Sequence, residues 1–200
     1  MIKAVLFDVG NVIITWHPSN LYDHLIADPA RRAFVLDQVV PMSWHARHDA
    51  GFSFAENRRE RLALYPDYAA ELLAFDERFE EMLGDLISET IANIEALHAA
   101  NIPLYALTNM PAEKAQMVFS KSHVFDYFKD IIISGVEKVI KPDPAIFALT
   151  LQRIGLPADQ ILFIDDNTDN IAAAQAMGFA THLFSDPAAL RPVLIASGLL

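Results

Sequence analysis

The chain has no cysteine, an absence that removes disulfides, thiolate nucleophiles and cysteine-ligated metals together. It fits a cytoplasmic location, which is the expectation. Long hydrophobic runs are missing as well. Nowhere do about 18 consecutive apolar residues occur, the length a spanning helix needs, so a soluble protein with no membrane partner is expected. The stretch from Met1 to Val12 is too short an apolar run, and meets an acid too early at Asp8, to read as a secretory signal. Positive charge is scarce: 15 Lys and Arg stand against 26 Asp and Glu, a net charge of -11. That balance disfavours attraction to nucleic acid or to an anionic membrane face, and an anionic ligand must then be held by local cations. No internal repeat and no Gly/Ser-rich or Pro-rich linker divides the chain.

What is present is 200 residues of 53% hydrophobic content, enough for one sizeable core with a smaller elaboration. The hydrophobic period changes early. Ile2 to Phe7 is a short apolar run with β-branched members, ended by Asp8 and Gly10, as expected of a strand buried on both faces. From about Pro18 to Gly84 the pattern turns helical, with Ser53 and Glu56 spaced as a capping box. Ile87, Ile91, Ile94 and Leu97 then mark an amphipathic helix. Beyond it four strand-like runs, Pro103 to Leu107, Ile131 to Ser134, Ile161 to Ile164 and Thr181 to Phe184, alternate with helical stretches near 112–119, 144–154 and 170–177. Such alternation predicts an α/β fold with a doubly wound parallel sheet. The helical block then reads as an insertion after strand one, which a plain two-domain array would leave apart from its sheet.

In such sheets ligands gather beyond the carboxyl ends of the strands, and the residues there are polar. The first strand delivers Asp8, the run to Leu107 delivers Thr108 and Asn109, and the last motif delivers Asp165 and Asp166. Lys141 precedes Pro142, Asp143 and Pro144, a helix-start signal. A carboxylate can attack phosphorus and split one hard displacement into two easier ones, and Asp8 is the candidate. Clustered carboxylates repel, and a divalent ion relieves them, with Mg2+ favoured by an all-oxygen site. Asp166 is the expected direct ligand, while Asp165 holds a metal-bound water or orients the site. Thr108 and Lys141 are the expected anion clamps. Duller readings exist for each: Asp8 as a turn residue, Thr108 and Asn109 as caps of a helix near Pro111, Lys141 as a surface charge, the acid pair as a polar turn.

The motifs FDVGNV at Phe7 to Val12, LTN at Leu107 to Asn109, KPDPAIF at Lys141 to Phe147 and DDNTDN at Asp165 to Asn170 are individually weak and jointly specific. In order and in placement after strands, the chain resembles the haloacid dehalogenase-like hydrolase superfamily over essentially its full length. The resemblance implies a Rossmann-like core over 1–15 and 86–200, a mobile helical cap over 16–85, a nucleophilic Asp8, and Mg2+ held by Asp8, the carbonyl of Gly10 and Asp166. Asn109 near the phosphate and Asn170 near the metal follow from it too. A phosphatase acting on small phosphorylated metabolites is the leading expectation.

One departure from the family pattern matters. Most phosphatases of the superfamily carry a second aspartate two residues after the nucleophile as acid and base, and here that place is Gly10. A positioned acid or base contributes about 10²–10⁴-fold, so its loss favours leaving groups that depart easily, such as an anomeric sugar phosphate. Sequences reading Asp-x-Gly-Asn that belong to sugar-phosphate phosphatases point the same way. A replacement is sought in WHARHDAG at Trp44 to Gly51, with His48 the first candidate and His17 the second. For Arg47, His48 and Asp49 a solvated face competes evenly with substrate contact; for His45 and His17 it is the better reading. Trp44, Phe52 and Phe54 read as packing between cap and core. Two rival functions stand beside the phosphatase: a haloacid dehalogenase, which needs no proton for halide, and a non-catalytic phosphometabolite binder.

Overall fold

The computed structural model describes residues 1–200. Five parallel strands form the main sheet in the order β5-β4-β1-β6-β7. They are β1 (Ala4–Phe7), β4 (Leu104–Thr108), β5 (Asp130–Ile133), β6 (Ile161–Asp165) and β7 (Ala180–Leu183). All five expected runs are therefore strands. β1 is central, and the chain moves away from it first toward β4 and β5, then back across to β6 and β7. The strand order thus reverses beside β1, the crevice where open parallel sheets bind ligands.

Side chains alternate across a strand, and β1 buries both faces accordingly. Val5 and Phe7 join a cluster with Ile94, Leu97, Ile164 and Leu190. Ala4 and Leu6 face the other way, against Ile146, Phe147, Phe163 and Ile171. This double burial explains why the strands read as continuous apolar runs. The helix Pro144–Ile154 starts where its sequence demands: Asp143 accepts from Ala145 N at 2.8 Å, Pro144 stands in the first turn, and Gly155 at φ 72° ends it.

The sequence gives no sign of a second sheet, yet one exists. β2 (Ile14–Trp16) and β3 (Leu83–Leu86) form an antiparallel ribbon in which Ile14 is opposite Leu86 and Trp16 opposite Leu83. The chain leaves the sheet along one strand and returns along the other. Between them lie helices Ser19–Leu25, Pro29–Phe34, Met42–Asp49, Phe54–Leu64 and Ala69–Glu77, so the helical block is real and its two ends are stitched together. Ser53 Oγ accepts from Glu56 N at 3.3 Å and caps the fourth helix. This block has its own core of Tyr22, Val35, Trp44, Phe54, Leu72 and Phe75.

Candidate active site

Phe7 is in register with Ala106 and with Ile164, so Asp8, Thr108 and Asp165 emerge at one edge of the sheet. Asp8 is fixed there by its own N–H, which donates to Ile164 O at 2.8 Å. Its Oδ1 accepts from Val9 N at 2.7 Å and lies 2.9 Å from Lys141 Nζ. Just beyond, Asn11 turns the chain in the left-handed region at φ 54°, a conformation asparagine tolerates better than most residues, and its Oδ1 accepts from Trp16 N at 3.0 Å.

Lys141 is the hub. Its ammonium is fully enclosed and donates to Leu107 O at 3.0 Å and to Asp165 Oδ2 at 2.6 Å as well as reaching Asp8. The Asn109 side chain holds the Lys141 backbone from both sides, its Oδ1 accepting from Lys141 N at 2.8 Å and its Nδ2 donating to Lys141 O at 3.0 Å. Asp165 is completely buried. Both its oxygens accept from Asn170 Nδ2, at 3.0 and 3.1 Å, and Oδ1 also accepts from Asn167 N at 2.8 Å. It therefore sits behind Lys141, outside the cavity wall, whereas Asp166 lines the cavity. Carboxylate oxygens of Asp8, Asp165 and Asp166 nevertheless all fall within 4.8 Å of one another.

Burial pushes the Asp8 carboxyl up, to about 7, against the pull of the Lys141 ammonium; Asp165 and Asp166 push in the same direction as burial. Burial alone would lower Lys141, but the carboxylates of Asp8 and Asp165 outweigh it and hold the ammonium charged. Asp166 is also raised, by burial first and then by Asp165. Three carboxylates around one ammonium leave negative charge uncompensated, and a hard divalent cation matches that all-oxygen donor set.

These groups border a cavity of about 380 Å³, with Asp8, Asn11, Thr108, Asn109, Lys141 and Asp166 along the sheet edge. The opposite wall is Ile14, Trp16, Met42, His45, Ala46, Asp49, Phe79 and Leu83. Met42, His45, Ala46 and Asp49 recur at intervals of three and four, one face of one helix. Here the sequence expectation is corrected. His48 points the other way, into the helical block: its ring stacks on Phe54 at 4.2 Å, meets Trp44 edge-on at 4.7 Å, and its Nε2 is 2.9 Å from Asn57 Nδ2. Burial lowers it to about 4. His17 is exposed and its Nδ1 accepts from Ser19 N at 3.1 Å, so it too lies off the cavity wall. His45, for which the sequence favours a solvated face, and Asp49, for which it weighs a solvated face evenly against substrate contact, are the ones that line the cavity shared with Asp8. The i, i+4 spacing groups His45 with Asp49 and Trp44 with His48, but does not say which pair faces the sheet.

An open parallel sheet with a carboxylate at its switch point, a lysine clamp and an acid pair defines an α/β protein built to hold an anion and a hard cation together. The model of haloacid dehalogenase-like hydrolases matches residues 2–178, and the chain belongs to that family. Among curated relatives, a phosphoglycolate phosphatase of Photobacterium profundum is 34% identical over 185 residues, covering 88% of this chain and 80% of its own. The sesquiterpene phosphatase astK of Aspergillus oryzae is 27% identical, with 88% and 86% covered. The drimenol cyclase drtB of Aspergillus calidoustus is 24% identical, and the match spans only 34% of that longer protein. Of solved structures, the family enzyme bt-2542 of Bacteroides thetaiotaomicron, in complex with magnesium and inorganic phosphate, superposes with a TM-score of 0.72 at 20% identity, covering 95% of this chain and 99% of that one. The fold is the same.

Proposed function

We propose that the chain is a Mg2+-dependent phosphatase of small phosphorylated metabolites, acting through phosphoryl transfer to Asp8. The observation that carries this is the ammonium of Lys141 placed 2.9 Å from Asp8 at the edge of a cavity that Thr108 and Asp166 also line. An anion entering there meets a fixed positive charge in a site otherwise negative. The two phosphatase relatives support the same chemistry.

In this reading Lys141 and Thr108 bind the phosphate oxygens and Asp8 attacks phosphorus. Asn109 orients Lys141 through the residue's backbone N–H and carbonyl, and Asp165 with Asn170 fixes the ammonium from behind. Asp8, the carbonyl of Gly10 and Asp166 would hold Mg2+, which when bound neutralises the phosphate and lets two anions approach. Residues 16–85 act as a cap over the site, excluding water and reading the organic half of the substrate. The cap wall is largely apolar: apart from the indole N–H of Trp16, only His45 and Asp49 offer it polar groups. A polyol would leave hydroxyls unpaired against it, so compact, weakly polar organic groups fit better than sugars.

The test is phosphate release from a panel of alkyl, terpenyl, glycolyl and sugar phosphates, with haloacids alongside. Release should require Mg2+, stop with chelator and disappear in Asp8→Asn. Halide release without metal would instead make the chain a dehalogenase. Thermal stabilisation by phosphate esters with no turnover at all would make it a binder.

A further inference from the structure

We propose that Asp49 is the general acid and base of the reaction, supplied from the helical block where Gly10 provides none. This rests on the phosphatase reading above. Four features carry it.

The place beside Asp8 where a second carboxylate would project is open: a Cβ built on Gly10 meets nothing within 4 Å. Across the cavity stands Asp49, its side chain only 9% exposed and its Oδ1 without a hydrogen-bond partner. A buried polar atom without a partner is costly unless something completes it, and the cavity it lines is shared with Asp8. The nearest candidate, His45 Nε2, is 3.5 Å away, too far for a good bond but close enough to steer the carboxyl. The His45 ring is itself held by stacking on Trp16 at 4.5 Å.

Asp49 ends the Met42–Asp49 helix and is also tied to the core just beyond β5. Its carbonyl accepts from Ser134 Oγ at 2.7 Å, and the same hydroxyl accepts from Met110 N at 3.0 Å, next to the Thr108–Asn109 turn. The turn that follows is pressed on the core, since a Cβ on Gly51 would come within 2.9 Å of Lys138 Cγ and 3.1 Å of Gly135 O. The Asp49 backbone is therefore held against the core at the edge of the cavity that Asp8 also lines. Burial also raises it to about 7, with Lys141 pulling the other way, so near neutrality it can hold a proton and give it up.

The steps balance. As Asp8 forms its bond to phosphorus and the bond to the ester oxygen breaks, the carboxyl proton of Asp49 passes to that oxygen, which leaves as an alcohol. The Asp49 carboxylate then takes a proton from water as the water oxygen attacks phosphorus. The bond to Asp8 breaks, and phosphate leaves with both aspartates restored.

The experiment compares p-nitrophenyl phosphate, whose leaving group needs no proton, with an alkyl phosphate that the wild type hydrolyses. In Asp49→Asn, kcat/KM for the alkyl ester should fall about 10²–10⁴-fold, while that for the nitrophenyl ester changes far less. With the nitrophenyl ester a burst of nitrophenol should precede slow turnover, and intact-mass analysis should find phosphoryl-Asp8 accumulating. Asp49→Ser serves as the second variant should the amide disturb folding. Gly10→Asp placed in the Asp49→Asn background should recover alkyl ester hydrolysis. Equal losses on both esters without a burst, or no loss, would overturn the role of Asp49 while leaving the phosphatase reading intact. A wild type that neither releases phosphate nor becomes phosphorylated would overturn both.

Discussion

Lys141 Nζ lies 2.6 Å from Asp165 Oδ2, and neither side chain is more than 1% exposed. A buried ion pair of this kind adds little net stability against an apolar substitute, but removing one partner strands the other. Lys141→Met should therefore cost about 3–5 kcal/mol at neutral pH, because Asp165 and Asp8 lose their cation. The deficit has a pH signature. Burial already raises the Asp8 carboxyl above its unfolded value and the Lys141 ammonium pulls it down, so without the ammonium the cost is absent below the unfolded value near 4 and grows as pH rises. Unfolding in denaturant at pH 5 and pH 8, with chelator present, reads it. A deficit of equal size at both would reject the pairing, and Asp165→Asn in the same chain should relieve part of it.

Asp49 gives a second pH dependence. Its carboxyl is raised from 3.8 to about 7, so the protonated form contributes stability that is complete below pH 4 and lost as pH rises through 7. Asp49→Asn never ionises. Relative to wild type it should gain stability between pH 5 and pH 7, by about 3 kcal/mol at roughly 1.4 kcal/mol per unit, and level off above that. Thermal melts of the two proteins across that range decide it, and parallel curves would show that the carboxyl is not buried as described. The same substitution should lower turnover, which makes stability and activity move in opposite directions.

His48 tests the helix phase. The ring fills space between Phe54 and Trp44, and burial holds it neutral, lowered to about 4. His48→Ala should lose about 2–4 kcal/mol of stability through the cavity it leaves, with kcat near that of wild type at a temperature where both are folded. Loss of kcat without loss of stability would return His48 to the site.

The contrast between His48 and Asp49 shows where sequence reading works and where it stops. Asp8, Thr108, Asp165 and Asp166 are legible because strands buried on both faces are unbroken apolar runs, and polar residues ending such runs stand at one edge of a parallel sheet. Lys141 is legible through Pro142, Asp143 and Pro144, which force a helix start beside that edge. β2 and β3 are not legible. Three and four residues long, they exist only because two segments on either side of the helical block meet, and no local pattern records such a pairing. The face of the Met42–Asp49 helix needed its partners in view. Trp44 and His48 form one stripe, His45 and Asp49 another, and only the position of the sheet decides which stripe is inside the block and which looks at Asp8. Asn109 was placed by resemblance near the phosphate. It lines the cavity, but its side-chain amide is committed to the Lys141 backbone.

That commitment of Asn109 makes the last prediction. Its two hydrogen bonds to Lys141 N and O fix the backbone of the residue from which the ammonium extends, while Leu107 O and Asp165 fix the other end. Asn109→Ala removes the first restraint and keeps the second. Each lost bond costs about 1 kcal/mol, so stability should fall by about 2 kcal/mol, less than for Lys141→Met. A displacement of the clamp by a fraction of an ångström should still lower kcat by about 10- to 100-fold, because misplacement of about 1 Å is enough for the larger figure. Since the ammonium itself remains, inorganic phosphate should inhibit the variant nearly as well as the wild type. Weak phosphate inhibition together with unchanged kcat would mean that Asn109 binds the anion itself and does not act by holding Lys141.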